Sequence, residues 1–402
     1  MDLPGPAAVG AALRVRAGHP AFGYPVAEAA DRALVARWYR RRHGVEVPPE
    51  WVMLLPFAPG TAVRLLLEAA RPLSGPAVCV TPEWDGFARY CRAAGVPLRE
   101  VPLRHVPAGA PAPATGRTRG ESAFPSSPGH PASPAHTPPE SPFPPPARQT
   151  ARRRELDREH ARTWPRSHPE GAFRLPVEEI AAARPGMVLL SSPNNPTGRI
   201  WPAADIRALA AAAAPGLLVS DEVHGDLRHP DAGVPHPVAV AVTDGAPNVV
   251  TLNSVGKTFN VSGVPSCLAL VPDPALRARL AEVMAGFGLW EGGLLGALVQ
   301  RAALAEGEAW LAGLLEHLVA ARELATAALG GAVLARPQAS FLLWLDGSGL
   351  GTREEVLTQR QVELADGAGF GPAGSGCLRL NFALPLDRLR LALTRLTCGS
   401  VG

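Results

Sequence analysis

Lysine is almost missing from this chain: its 402 residues include 38 arginines and a single lysine, Lys257. Arginine stays protonated and is a poor nucleophile. It can replace lysine on a solvated surface, but not where an amine must lose its proton and attack a carbonyl. The survivor therefore points to Schiff-base chemistry, against the bland reading that drift in an Arg-, Ala- and Pro-rich composition left it behind. Cysteine is scarce too. Cys79, Cys91, Cys267, Cys377 and Cys398 are scattered and form no C-x-x-C pair, which argues against a disulfide framework or a zinc site and fits reduced thiols in a cytoplasmic protein. No run of about 20 apolar residues occurs, so no membrane span is expected. The start, Met1-Asp2-Leu3-Pro4, carries no secretory pattern. The net charge of +3 is small for this length and calls for no nucleic-acid or acidic-membrane partner.

What is present is a globular composition, 47% apolar, in a chain longer than one ordinary core, so two domains or one large α/β domain with an appendage are expected. Residues 105–168 stand apart. They are dense in Pro, Ala, Ser, Gly and Arg, including Pro144-Pro145-Pro146 and Arg152-Arg153-Arg154, and read as a disordered insertion. The functional alternative is a Pro-rich ligand or an anion-binding patch, and 152–162 could form a short charged helix. On either side, short apolar runs recur at 77–80, 187–190, 217–219, 249–252 and 267–271, separated by helical stretches at 62–70, 86–94, 203–214 and 277–287. Continuous apolar strands alternating with helices predict a mainly parallel sheet covered on both faces. Ligands of such sheets bind beyond the carboxyl ends of the strands.

Polar motifs fall at those ends. Ser192-Pro193-Asn194-Asn195-Pro196-Thr197-Gly198 follows one run, Ser220-Asp221-Glu222-Val223-His224 the next, and Asn253-Ser254-Val255-Gly256-Lys257-Thr258 the third. Downstream, Cys377-Leu378-Arg379-Leu380-Asn381 reads as a short strand carrying one arginine. Gly256-Lys257-Thr258 superficially matches the end of a nucleotide-binding P-loop. That pattern needs a glycine where this chain has Thr251, in an apolar strand, so an NTPase reading is poor.

Together with Phe22-Gly23-Tyr24, Pro82-Glu83-Trp84-Asp85-Gly86-Phe87 and Ser340-Phe341-Leu342-Leu343-Trp344-Leu345-Asp346, these motifs stand in the order found in fold-type I pyridoxal-phosphate (PLP) enzymes. The chain resembles the class I/II aminotransferase superfamily, and within it the MalY/PatB-type C–S lyase (cystathionine β-lyase) branch. The resemblance implies an α/β fold of the aspartate aminotransferase type: a large domain with a mainly parallel seven-stranded sheet, plus a smaller α+β C-terminal domain. It implies a truncated N-terminal segment at 1–25, a PLP-binding domain at 26–285 interrupted by the insertion, and a small domain at 286–402.

The resemblance also implies roles for residues. Lys257 would bind PLP covalently and move the substrate Cα proton, Asp221 would pair with the pyridine nitrogen, and Asn195 would meet the ring hydroxyl. Trp84 would lie against the cofactor face, with His224 beside it. The phosphate would be held by the helix start Gly60-Thr61-Ala62, by Ser254, and by Tyr24 of a neighbouring subunit, which makes the protein a homodimer with shared active sites. Arg379 would clamp the substrate carboxylate. His224 stands three residues after Asp221, where many aminotransferases have tyrosine, and so favours β-elimination of a sulfur amino acid to a thiol, pyruvate and ammonia. Transamination is the alternative, and a non-catalytic protein retaining the fold is the further one.

Overall fold

The computed structural model describes residues 1–105 and 173–398, so the insertion, its first residue excepted, and the short helix expected at 152–162 lie outside the described residues. In chain order the strands are β1 (Val52–Leu55), β2 (Ala77–Thr81), β3 (Leu98–Pro102), β4 (Arg104–His105), β5 (Phe173–Arg174), β6 (Met187–Ser191), β7 (Leu217–Asp221), β8 (Val249–Asn253), β9 (Cys267–Leu270), β10 (Leu342–Asp346), β11 (Ala365–Asp366) and β12 (Cys377–Asn381).

A seven-stranded sheet runs in the order β1-β9-β8-β7-β6-β2-β3. From β3 to β8 its strands are parallel, and β9 is antiparallel to both its neighbours. Successive side chains of a strand point to opposite faces. Here each face has its own apolar core. Val78, Val80, Val188, Leu190 and Leu218 enter one, with helices Ala29–His43 and Ala203–Ala213; Ala77, Cys79, Met187, Leu189 and Val219 enter the other, with helices Pro59–Ala69, Gly86–Ala93 and Pro274–Gly286. Each buried leucine or valine stabilises by roughly 1.5–3 kcal/mol. The double coverage explains why the sequence shows unbroken apolar runs instead of alternation. The edge strand β3 differs, exposing Arg99 and Glu100 at a border where no further strand pairs among the described residues.

Four strands overrun their apolar runs by a polar residue or more, while β9 stops one residue short of its run, at Leu270. β2, β6, β7 and β8 end on Thr81, Ser191, Asp221 and Asn253 because the ladder continues to them; Ser191, for instance, pairs with Asp221. The helices expected to begin at 62 and 277 start earlier, at Pro59 and Pro274, where proline lacks only an N–H that the first turn leaves unpaired anyway. β1 was not foreseen.

A second, antiparallel sheet has the order β10-β12-β11 and carries Arg379 on its central strand, opposite Trp344 and Ala365. Its Trp344, Leu378 and Leu380 join the first of the two cores, which ties this sheet to the large one. Among the described residues, no helix is long and apolar enough to cross a membrane.

Candidate active site

Because β2, β6, β7 and β8 are parallel, their carboxyl ends open at one edge of the sheet. The segments leaving that edge bear Trp84, Asn195, Asp221 and Lys257. Lys257 lies in the short helix Val255–Thr258, which Ser254 caps by accepting the Gly256 N–H at 3.0 Å. The Lys257 side chain keeps access to solvent and forms no hydrogen bond or ion pair with the described residues. Partial desolvation, followed by the Arg379 charge, lowers its pKa, while Asp221 pulls the other way. The amine is therefore easier to deprotonate than an ordinary lysine.

Asp221 is buried, and one of its carboxylate oxygens accepts the Val223 N–H at 3.2 Å. The other has no partner among the described residues. Burial, with the Glu222 charge added, pushes its pKa up to about 7 against the Val223 bond and the Lys257 charge. Such a carboxylate lacks a cation.

Arg379 reaches across from β12. Its Nη1 donates to Asn195 Oδ1 at 2.9 Å, and its guanidinium lies 4.8 Å from the centre of the Phe370 ring. Arginine only donates, so the Asn195 amide is oriented with its oxygen to Arg379 and its NH2 free. The Nε of Arg379 is buried without a partner among the described residues.

His224 is buried, 3.1 Å from Ser340 Oγ through Nδ1 and edge-on to Phe341. Burial, then the Lys257 and Arg379 charges, lower its pKa to about 3, so it is neutral. Ser340 itself is in the left-handed region, φ 73°, although it is not glycine. Two bonds lock it there: its N–H donates to Leu227 O at 3.0 Å, and its carbonyl accepts from His229 Nε2 at 2.7 Å. The direction of the second follows from Arg322, whose Nη1 donates to His229 Nδ1 at 2.7 Å and leaves the proton on Nε2.

Gly60 and Thr61 lie in the first turn of helix Pro59–Ala69, with Ala62 buried behind them. A Cβ on Gly60 would stand 2.5 Å from Tyr90 Oη and 2.9 Å from the Trp84 ring, so glycine alone lets both rings close over this helix start. Trp84 is half-buried and also packs edge-on to Phe87.

Two expected phosphate ligands are placed differently from the rest. The Ser254 hydroxyl donates to Ser266 O at 2.7 Å, so its proton is already engaged. Tyr24 is 86% exposed and contacts Trp290, with ring centroids 5.4 Å apart.

Several site-supporting residues carried no signal of spacing. Asp226 accepts from Trp38 Nε1 at 3.1 Å, His43 Nε2 at 2.9 Å and Thr258 Oγ1 at 2.9 Å, which anchors the residue after Lys257. Glu83, Ser340 and Phe370 act through contacts distant in sequence. Glu83 and Ser340 lay inside motifs already noticed, whereas Phe370 did not.

These residues fit PLP: a free amine, a carboxylate short of a cation, a free amide NH2, a helix start with a cleared surface and an arginine with an unpaired buried N–H. The family described as aminotransferase class I and II matches residues 151–396. The chain is 27% identical to cystathionine beta-lyase PatB of Bacillus subtilis (strain 168) over 416 aligned positions, 98% of this chain and 89% of the relative. A shorter stretch of 87 positions, 22% of each chain, is 41% identical to histidinol-phosphate aminotransferase 3 of Burkholderia lata. Among solved structures, cystalysin of Treponema denticola, which contains a pyridoxal 5'-phosphate cofactor, has a TM-score of 0.75 at 17% identity, covering 98% of this chain and 88% of its own. That identity speaks to fold alone.

Proposed function

The chain belongs to the aminotransferase class I and II family and is a PLP-dependent enzyme, and on that premise we propose that it is a C–S β-lyase acting on a sulfur amino acid of the cystathionine kind. The observation that carries the lyase reading is the similarity to a cystathionine beta-lyase over 98% of this chain.

PLP, when bound, supplies an electron sink for the pair left as the Cα proton departs. The protein's own groups do the rest. Lys257 would hold the cofactor through its amine, and its neutral form would be the base that takes the Cα proton. Its lowered pKa keeps more of the amine neutral for both tasks. Asp221, through the oxygen that Val223 leaves unpaired, would keep a proton on the pyridine nitrogen. The Asn195 NH2 would donate to the ring hydroxyl oxygen while its carbonyl stays with Arg379. Arg379 binds the substrate α-carboxylate and thereby fixes which Cα bond faces Lys257. The N–H groups of the first turn of helix Pro59–Ala69 would hold the phosphate. In the net reaction the Cα–H and Cβ–S bonds break, sulfur leaves with the electron pair and gains a proton, and water releases pyruvate and ammonia.

The product assay tests this reading. With L-cystathionine alone, the purified enzyme is expected to form pyruvate and a thiol in equal amounts, with no requirement for 2-oxoglutarate. Glutamate formation that depends on 2-oxoglutarate, without pyruvate, would sustain the aminotransferase alternative that the 87-position stretch favours.

The same proposal includes a homodimer. Phe22, Tyr24, Val26, Phe287, Trp290 and Leu295 are exposed, and Tyr24 touches Trp290, which joins apolar surface from two parts of the chain. Pairing of two copies through this surface would bring Tyr24 to the partner's phosphate. Sedimentation is expected to show a dimer, with Trp290→Arg shifting it toward monomer; an unshifted monomeric wild type would contradict this. We also assign the protein to the cytoplasm, where its five free cysteines remain reduced.

A further inference from the structure

Glu83 follows β2 at the site edge, and only 2% of its surface is exposed. Its carboxylate collects donors from both sides of the site. One oxygen accepts the Trp84 N–H at 2.7 Å and the Ser191 hydroxyl; the other accepts the Ser191 N–H at 3.0 Å and Asn194 Nδ2 at 3.4 Å. The Ser191 hydroxyl oxygen in turn accepts the Asn195 N–H at 3.0 Å. The Glu83 backbone N–H donates to Phe370 O at 3.0 Å, and the Phe370 ring supports the Arg379 guanidinium.

We propose, resting on the PLP reading above, that Glu83 is a positioning residue that holds Trp84, Asn195 and Arg379 in register, so that the cofactor cradle and the substrate clamp form one unit.

Every hydrogen bond of the carboxylate runs toward it. Donors on both oxygens suit a carboxyl group and do not suit the amide of glutamine, whose NH2 would face groups that themselves donate. A buried anion is expensive, and Glu83 makes no ion pair with the described residues. Burial pushes its pKa up to about 8, against its bonds to Ser191 and Trp84 and with the Asp221 charge adding to the rise. A brace that served the fold alone would be cheaper as an apolar contact. What this carboxylate adds is direction, because it aims two backbone segments that bear Trp84 and Asn195 from adjacent parallel strands.

Glu83→Gln conserves volume but turns an NH2 toward groups that already donate. The test compares it with the wild type by PLP affinity, from quenching of tryptophan fluorescence on titrating the apoprotein, and by KM and kcat per PLP-loaded site. PLP dissociation constant and KM are each expected to rise about tenfold, with kcat at saturation changing less. A variant with a lowered melting temperature but PLP affinity and KM within about twofold of wild type would reduce Glu83 to a structural brace and overturn the proposal. If Glu83→Gln does not fold, Ser191→Ala decides. It removes the hydroxyl that joins Glu83 to Asn194 and Asn195 while leaving the Ser191 N–H on Glu83, and is expected to weaken PLP binding about threefold or more; an unchanged affinity overturns the proposal. Failure of the wild type to bind PLP would overturn the cofactor reading as well, which separates the two failures.

Discussion

Lys257→Ala is expected to lose covalent PLP and all detectable turnover, and Lys257→Arg is expected to do the same. The second variant is the sharper one. Arginine fills similar space and keeps a positive charge, so a site that needed only a cation near Asp221 would survive it. A site that needs a neutral amine would not, because guanidinium does not deprotonate in a protein. The structure favours the second requirement: partial desolvation and the Arg379 charge lower the pKa of Lys257, and no described residue holds its amine. Visible absorbance of the purified protein, read with the pyruvate assay, checks both variants. Substantial activity in Lys257→Arg would refute the assignment. The composition makes the point independently, since the chain tolerates arginine in 38 places and lysine in one.

Asp221→Asn is expected to pull stability and activity in opposite directions. In the protein without PLP, the Asp221 pKa is raised from 3.8 to about 7, so the folded state binds the proton more tightly than the unfolded chain. The group is neutral in both states below about pH 4 and costs nothing there. As pH rises from about 4 to 7 the unfolded chain releases the proton first and the fold loses stability; above 7 the loss is constant, roughly 4 kcal/mol or less. Asparagine cannot ionise. Urea unfolding of the apoprotein at pH 8 should therefore find Asp221→Asn more stable than wild type by up to that amount, and the advantage should vanish near pH 4. With PLP bound, the same substitution removes the partner of the pyridine nitrogen and is expected to lower turnover about 10²–10³-fold. An apoprotein destabilised by Asp221→Asn at pH 8 would contradict the buried, uncompensated carboxylate on which this argument rests.

Strand ends were the most legible part of the sequence. The run at 377–381 is strand β12 from end to end, and Asn195, Asp221 and Lys257 follow parallel strands whose carboxyl ends share one edge. Local pattern suffices there, because an apolar run closed by a polar turn is a local feature. β1 was less legible, since its four residues Val52–Leu55 are flanked by prolines and offer too short a run. Ser254 shows another limit. Its spacing from Lys257 was visible, but the Ser266 carbonyl that takes its proton comes from the far side of the turn. The Ser340 conformation depends on Leu227, His229 and Arg322, and the Asn195 orientation on Arg379. Such bonds join residues remote in the chain, so no periodicity announces them. Tyr24, exposed beside Trp290, gains a role only in the proposed dimer.

The central claim is that this chain's one lysine carries its cofactor. Borohydride reduction of the PLP-loaded protein, followed by peptide mass mapping, tests it most directly. The account predicts one phosphopyridoxyl group per chain, on the peptide containing Lys257. A label confined to the amino terminus, or no label in protein saturated with PLP, would contradict it.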